Sequence, residues 1–180
     1  MPSTRDLALS AAIELLGTEG LRALTHVRVD DRAGLPKGST SNHFRTRYAL
    51  LEGVADEIVR VELAVLGEPS MPDSAEAVVE LLCTSLEYAT GPGRTLTTAR
   101  LVLFLEASHD ARLRDSLARG RAAMEGWMGP LMAQFGATDP RAAGVAMAAC
   151  YEGLMLHRIA RHDTTDPRPA FDLVVHAAFA

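Results

Sequence analysis

The sequence predicts an all-α protein, and three observations carry that prediction. Strand signals are nearly absent: no run alternates apolar and polar residues for long, and no Asn-Gly or Asp-Gly turn joins β-branched segments. Apolar residues recur instead at helical spacing between Pro and Gly breaks. The balance of 48% apolar to 23% charged residues is that of a folded globular chain and excludes a disordered or fibrous one. No apolar run approaches the roughly 18 residues needed to cross a bilayer, and the opening segment lacks a cleavable signal pattern. A soluble cytoplasmic protein with no membrane partner is therefore expected.

The elements follow in order. Leu7, Ala8, Ala11, Ala12, Leu15 and Leu16 share one face of a first helix of about 4–19, which Gly20 ends. Two short helices are expected near about 26–33 and 37–43, the first capped by Thr25. Thr46 caps a fourth, which starts at Arg47 and carries Leu50, Leu51, Val54, Ile58, Val61 and Val65 before Gly67-Glu68-Pro69 interrupts it. Asp73 and Glu76 resemble a capping box opening a helix of about 74–89, closed by Gly91-Pro92-Gly93. A strongly apolar helix of about 95–107 comes next, then a long one of about 111–136 that Pro130 should bend or break. Asp139-Pro140 and Asp166-Pro167 each pair a capping acid with Pro at the first helical position, starting helices of about 140–162 and 167–179. That makes nine helices, with no internal repeat or low-complexity tract.

Cys83 and Cys150 lie in apolar helical patterns, and the six histidines show no paired ligand spacing, so no metal site and no cofactor are expected. Ser, His and Asp residues are scattered without a nucleophile elbow, no Gly-rich loop cradles phosphate, and the carboxylates fall mainly at helix caps and solvent faces. These absences argue against an enzyme. Charge is distributed unevenly along the chain. The formal net charge is −5, with 10 Arg/Lys against 15 Asp/Glu in residues 61–180. Residues 22–47 instead carry Arg22, Arg28, Arg32, Lys37, Arg45 and Arg47 against only Asp30 and Asp31, a surplus of four positive charges. A compact basic patch on an acidic body is the electrostatic footprint of a DNA-binding module carried by a regulatory domain.

The patch coincides with an unusual stretch. Ala33-Gly34 supplies the small residue and the glycine that a tight turn between crossed helices requires, and Pro36 pre-sets the start of the next helix. That helix presents Lys37, Ser39, Thr40, Ser41, Asn42 and His43, short or flat hydrogen-bonding side chains with almost nothing apolar among them. Such a face suits a major groove, where Asn, Ser and Thr read base edges while Lys, His and hydroxyls hold phosphates. Phe44 is then the anchor back onto the first helix of the pair. Thr25, Arg28, Arg45, Thr46 and Arg47 flank it as candidate clamps on the phosphate backbone.

The run from Thr25 to Leu51 resembles the N-terminal domain of the TetR family of transcriptional repressors. The likeness rests on Ala33-Gly34-x-x-Lys37-Gly38-Ser39, the His43-Phe44 pair and Arg45-Thr46-Arg47-x-x-Leu50-Leu51. Two departures stand out: family members often have Leu-Tyr where this chain has Thr40-Ser41, and Ala where it has Asp30. The resemblance implies a nine-helix architecture, with a helix-turn-helix domain over residues 1–48 and a helical-bundle effector-binding and dimerisation domain over 49–180. It implies a repressor that binds palindromic double-stranded operator DNA as a homodimer and is released by a small-molecule effector.

In the family's plan the effector cavity lies among the helices that here span about 47–136. Phe104, Met124, Trp127 and Met128 are the wall candidates, and Tyr88, Arg100 and His109 the polar ones. The apolar majority points to a lipophilic or aromatic ligand, and a buried Arg100 would admit a carboxylate or phenolate. Arg100 and Glu106 read first as internal salt-bridge partners or snorkelling side chains and only then as ligand contacts, and the Met124, Trp127, Met128 and Met132 stripe as core before pocket. For the dimer, Gly144, Ala148 and Gly153 would allow close approach, while Phe171, Val174, Val175 and Ala178 form an apolar stripe expected to be exposed. The alternative reading is a helical ligand-binding or interaction protein that has lost DNA binding.

Overall fold

The computed structural model describes residues 2–66 and 72–178, apart from the side chains of residues 65, 66, 121, 123–125 and 127. The expected break at Gly67-Glu68-Pro69 and the side chains of Val65, Met124 and Trp127 thus lie outside the described residues. Nine α-helices and one 3-10 turn occur, with no strand among the described residues. They are α1 (Thr4–Glu19), the turn (Leu21–Ala23), α2 (His26–Ala33), α3 (Ser39–His43), α4 (Arg47–Leu66), α5 (Ala75–Thr90), α6 (Arg94–Ala107), α7 (Ala111–Gln134), α8 (Pro140–Ala160) and α9 (Arg168–Ala178).

Local side-chain chemistry sets most of these boundaries. Ser3 and Asp6 form a reciprocal capping box at the start of α1, the Ser3 hydroxyl accepting the Asp6 N–H at 3.2 Å and the Asp6 carboxylate accepting the Ser3 N–H at 3.0 Å. The Asp139 carboxylate accepts the N–H groups of Arg141 and Ala142 ahead of Pro140. One expectation is corrected. Ser74, not Asp73, caps α5: its hydroxyl accepts the Ala77 N–H at 3.1 Å, and Asp73 stands one residue too early. Of the two outcomes expected at Pro130, a bend or a break, the break does not occur: α7 continues to Gln134. Proline inside a helix costs about 3 kcal/mol. Leu131 and Met132 directly after it are fully buried, and burial of each offsets that by about 1.5–3 kcal/mol.

The chain divides into two compact units. One contains α1–α4, α6 and α7 up to Gly120. Its core joins Leu9, Leu15 and Leu16 of α1 to Leu24, Leu50, Leu51 and Ile58, and to Leu103 of α6 and Leu113 of α7. Helices α1 and α6 make the most extensive contact. It requires Gly17, because a Cβ there would overlap the backbone carbonyl of Thr95. The other unit contains α5, α7 from Arg121 onward, α8 and α9. Phe171 and Val175 of α9 are fully buried in it along with Val79, Leu86, Leu131 and Met147. The Tyr151 ring stacks on Phe171 with centroids 6.1 Å apart, and its hydroxyl hydrogen-bonds that of Ser85 at 2.9 Å. An ion pair between Arg168 and Glu80 ties α9 to α5 at the surface.

Candidate nucleic-acid interface

Helix α2 begins at Thr25, whose hydroxyl accepts the Arg28 N–H at 3.3 Å, and ends at Gly34 in the left-handed conformation, φ 64°. Only glycine enters that region without strain, so the chain turns sharply there. Pro36 and Lys37 lead through Gly38, also at positive φ, into α3. The helix starts at Ser39, two residues later than expected, because Lys37 and Gly38 are in a turn closed by the Ser39 N–H to the Pro36 carbonyl at 3.1 Å.

The start of α3 is held by Asp30. Its carboxylate accepts the Gly38 N–H at 2.7 Å, the Thr40 N–H at 2.8 Å and the Thr40 hydroxyl at 2.5 Å. Burial alone would raise the Asp30 carboxyl. The hydrogen bonds from Thr40 and Gly38, helped by the nearby His26, outweigh it and hold the group below the usual carboxylate range. At the other end, the His26 ring donates from Nε2 to the Phe44 carbonyl at 2.6 Å; a carbonyl oxygen only accepts, so the proton is on that nitrogen. Phe44 is buried, with the Arg5 guanidinium 5.5 Å from its ring centroid.

The outer face of α3 is what remains. Ser41, Asn42 and His43 are exposed and Ser39 partly so. The hydroxyls of Ser39 and Ser41 donate to the Pro36 and Gly38 carbonyls, leaving their oxygens as acceptors. Lys37, Arg45, Thr46 and Arg47 are exposed beside them. Thr46 also caps α4 by accepting the Ala49 N–H at 3.1 Å, and Arg47 donates to the Leu21 carbonyl at 3.1 Å.

One expected contact residue is corrected, and another already has an acidic partner. Thr40 is fully buried, its hydroxyl turned into the protein toward Asp30 rather than outward with its neighbours. Arg28 is ion-paired with Glu19, which also binds Arg32 at 2.6 Å; Arg32 reaches Glu14 at 2.6 Å as well. Counting charge along residues 22–47 misses these acids of α1; among the described residues of that stretch the cations left without an ion pair are Arg22 and, beside α3, Lys37, Arg45 and Arg47.

Sequence reasoning overlooked Asp30 and His26 as supports for α3, the capping Ser3, Arg5 over Phe44, and Tyr48. Tyr48 is 58% exposed in the first turn of α4, next to Arg47. An aromatic ring lying off the Leu50, Leu51 and Val54 stripe is the sequence signal that could have revealed it.

The expected effector residues divide between the units. Arg100, Phe104 and His109 belong to the first, Tyr88 and Met128 to the second. Arg100 is largely buried, its guanidinium 5.5 Å from the Phe104 centroid and its Nε 3.3 Å from a Glu62 carboxylate oxygen. Burial pushes the Glu62 carboxyl up while Arg100 opposes it. Arg100 thus already has the Glu62 carboxyl and the Phe104 ring as neighbours, which weakens its reading as a receptor for an anionic ligand. His109 and Tyr88 are exposed, correcting the expectation that they face inward. Among the described residues no cluster of His, Cys, Asp and Glu could hold a metal ion, and no helix is long and apolar enough to cross a membrane.

The apolar stripe expected to be exposed on α9 is largely not. Phe171 and Val175 are core, and Gly144 faces Met128, which would lie 3.3 Å from an added Cβ. Ala148 and Gly153 are partly buried. The exposed apolar surface comes from Val145 and Leu156 of α8 and Leu173 of α9, the last 73% exposed. Val174 and Ala178 border it, with Ala142, Ala146, Leu173 and Ala177, along a groove of about 410 Å³ between α8 and α9.

Known proteins share this architecture. A family model described as "Tetracyclin repressor-like, C-terminal domain" matches residues 73–180. The multidrug binding protein EbrR superimposes in its ethidium complex with a TM-score of 0.79 at 23% identity, covering 98% of this chain and 99% of that one. Its proflavin complex gives 0.70 at 25% identity, covering 97% and 99%. A transcriptional regulator from Rhodococcus sp. Rha1 gives 0.85 at 16% identity over 98% and 96%. A TetR-family member from Streptomyces coelicolor A3 gives 0.73 at 24% identity over 99% of each chain. No curated protein matches the sequence significantly. The fold is thus that of a helical transcriptional regulator. The chain belongs to the TetR family.

Proposed function

We propose that this protein is a ligand-responsive transcriptional repressor, acting in the cytoplasm without enzymatic activity. Residues 1–48 read DNA, and residues 49–180 bind the effector and the second subunit. The carrying observation is the short helix α3, which turns Ser41, Asn42 and His43 outward beside Lys37, Arg45 and Arg47. Asn42 and Ser41 have the donors and acceptors for base edges, and the cations and Thr46 suit phosphates.

One such module buries too little surface for a specific site. Two related by a two-fold axis place their α3 helices in successive major grooves, about 34–36 Å apart. The apolar surface of Val145, Leu156 and Leu173 supports pairing through α8 and α9. The effector is lipophilic or aromatic, as in the EbrR complexes with ethidium and proflavin. A ligand favouring mis-spaced α3 helices weakens operator binding by the same factor by which DNA weakens ligand binding.

Selection from genomic fragments at moderate salt tests the DNA reading. Enrichment of a palindromic sequence is expected, and enrichment of none overturns it. With that duplex in hand, candidate aromatic compounds titrated against the fluorescence of Trp127, the sole tryptophan, test the effector reading. Saturating ligand that leaves operator affinity unchanged would refute release while sparing DNA binding.

A further inference from the structure

Helix α3 has five residues, barely more than one turn, and a nucleus of that size is unfavourable by itself. Its placement must come from outside. At its start the N–H groups of Gly38 and Thr40 and the Thr40 hydroxyl all converge on the Asp30 carboxylate. At its end the Phe44 carbonyl is held by His26. Asp30 and His26 are four residues apart on α2, so both ends of α3 are pinned to one face of one helix.

The chemistry of the inner contact matters. Asp30 is 1% exposed and Thr40 0%. A carboxylate so buried is tolerated only when hydrogen bonds replace its water, and here three do. An apolar contact resists separation but hardly resists rotation, since burial is non-directional. Hydrogen bonds weaken steeply off-axis, so three of them onto one carboxylate fix both the distance and the rotation of α3. An apolar pair at positions 30 and 40 would keep the contact and lose its direction.

We propose that Asp30 and Thr40 act as one positioning unit that sets the rotation of α3 and thereby selects which of Ser41, Asn42 and His43 meets the bases, neither residue touching DNA itself. This rests on the DNA-binding reading above. Wild type, Asp30→Ala, Thr40→Leu and the double variant Asp30→Ala/Thr40→Leu are compared at a temperature where circular dichroism shows all of them folded. Amide exchange over residues 38–44 is measured alongside affinity for the selected duplex and for random-sequence duplex.

Asp30→Ala should speed exchange at Thr40 by roughly tenfold or more relative to α1, as loss of a buried hydrogen-bonded anchor implies. Operator affinity should fall about 10- to 100-fold while random-sequence binding stays within about twofold, because the phosphate-facing cations are untouched. Thr40→Leu alone should do at least as much harm by placing an apolar group on the carboxylate. The double variant should recover protection and operator affinity to within a few-fold of wild type, roughly as strongly coupled pairs do. If Asp30→Ala does not fold, Asp30→Asn keeps the volume and one acceptor oxygen, and an intermediate loss is expected. Unchanged exchange in the single variants, additive effects in the double, or equal losses on operator and random DNA each overturn the proposal. A wild-type protein that prefers no sequence refutes the DNA reading alone; exchange still decides whether Asp30 and Thr40 act as a unit.

Discussion

The α2–α3 region and the α8–α9 region solve opposite problems. Helix α3 is short, so specific polar bonds from Asp30 and His26 fix it, and its outer face is polar too. Helices α8 and α9 have 21 and 11 residues, are fixed by buried area around Phe171, Val175 and Met147, and leave apolar side chains outside as well. Directional bonds suit an element whose exact orientation carries information; area suits one that must only hold and associate.

Substitutions in the two regions should differ in what they disturb. Leu173→Ser should weaken self-association most, because a two-fold interface loses the residue twice. About 2 kcal/mol of burial per copy amounts to roughly a thousandfold in dimer dissociation, read by light scattering across a dilution series. Its effect on monomer unfolding should stay near 0.5 kcal/mol, typical of a surface site. A wild type that is monomeric at micromolar concentration would remove the dimer reading.

Phe171→Ala should cost about 3–5 kcal/mol in denaturant unfolding, the range for emptying a buried aromatic site. If Leu173→Ser unfolds the protein while Phe171→Ala does not, inside and outside have been assigned the wrong way round. Asn42→Ala should lose about 1–3 kcal/mol on the selected duplex and relax its specificity at one position. Arg47→Ala should weaken all sequences alike and lower the salt slope by about 1.

The smallest effect is pH-dependent. The Asp30 carboxyl is depressed in the folded state, so its stabilisation is complete above the ordinary carboxylate range, near pH 4, and is lost as pH falls through the lowered folded value. The gap in denaturant midpoint between wild type and Asp30→Asn should therefore be widest near neutrality and close in acid. A gap that widens in acid would mean the carboxylate is not the form that binds α3.

Helix order was legible because caps and breakers act locally: Thr25, Gly34, Thr46 and Asp139 each sit where their side chain or backbone is needed. The outward polar face of Ser41, Asn42 and His43 was legible for the same reason. Thr40 was not, because nothing in a run of small polar residues says that one of them has a buried acceptor ten positions back. Arg28 looked free because its partner Glu19 is on a different helix. In α9 the stripe Phe171, Val174, Val175 and Ala178 is real at helical spacing, but such a stripe first serves the unit's own core, and the outward residue is the isolated Leu173.

The Gly17 contact has a mechanical meaning. Where two helices meet through side chains, rotamers and small gaps cushion any displacement. At Gly17 the backbone of α1 rests on the Thr95 carbonyl of α6 with no side chain between them. Close-packed matter transmits strain, and this joint has no slack with which to absorb it. A shift of the first turn of α6 is therefore handed to the end of α1, three residues before the loop that leads to α2, as one rod pushes another.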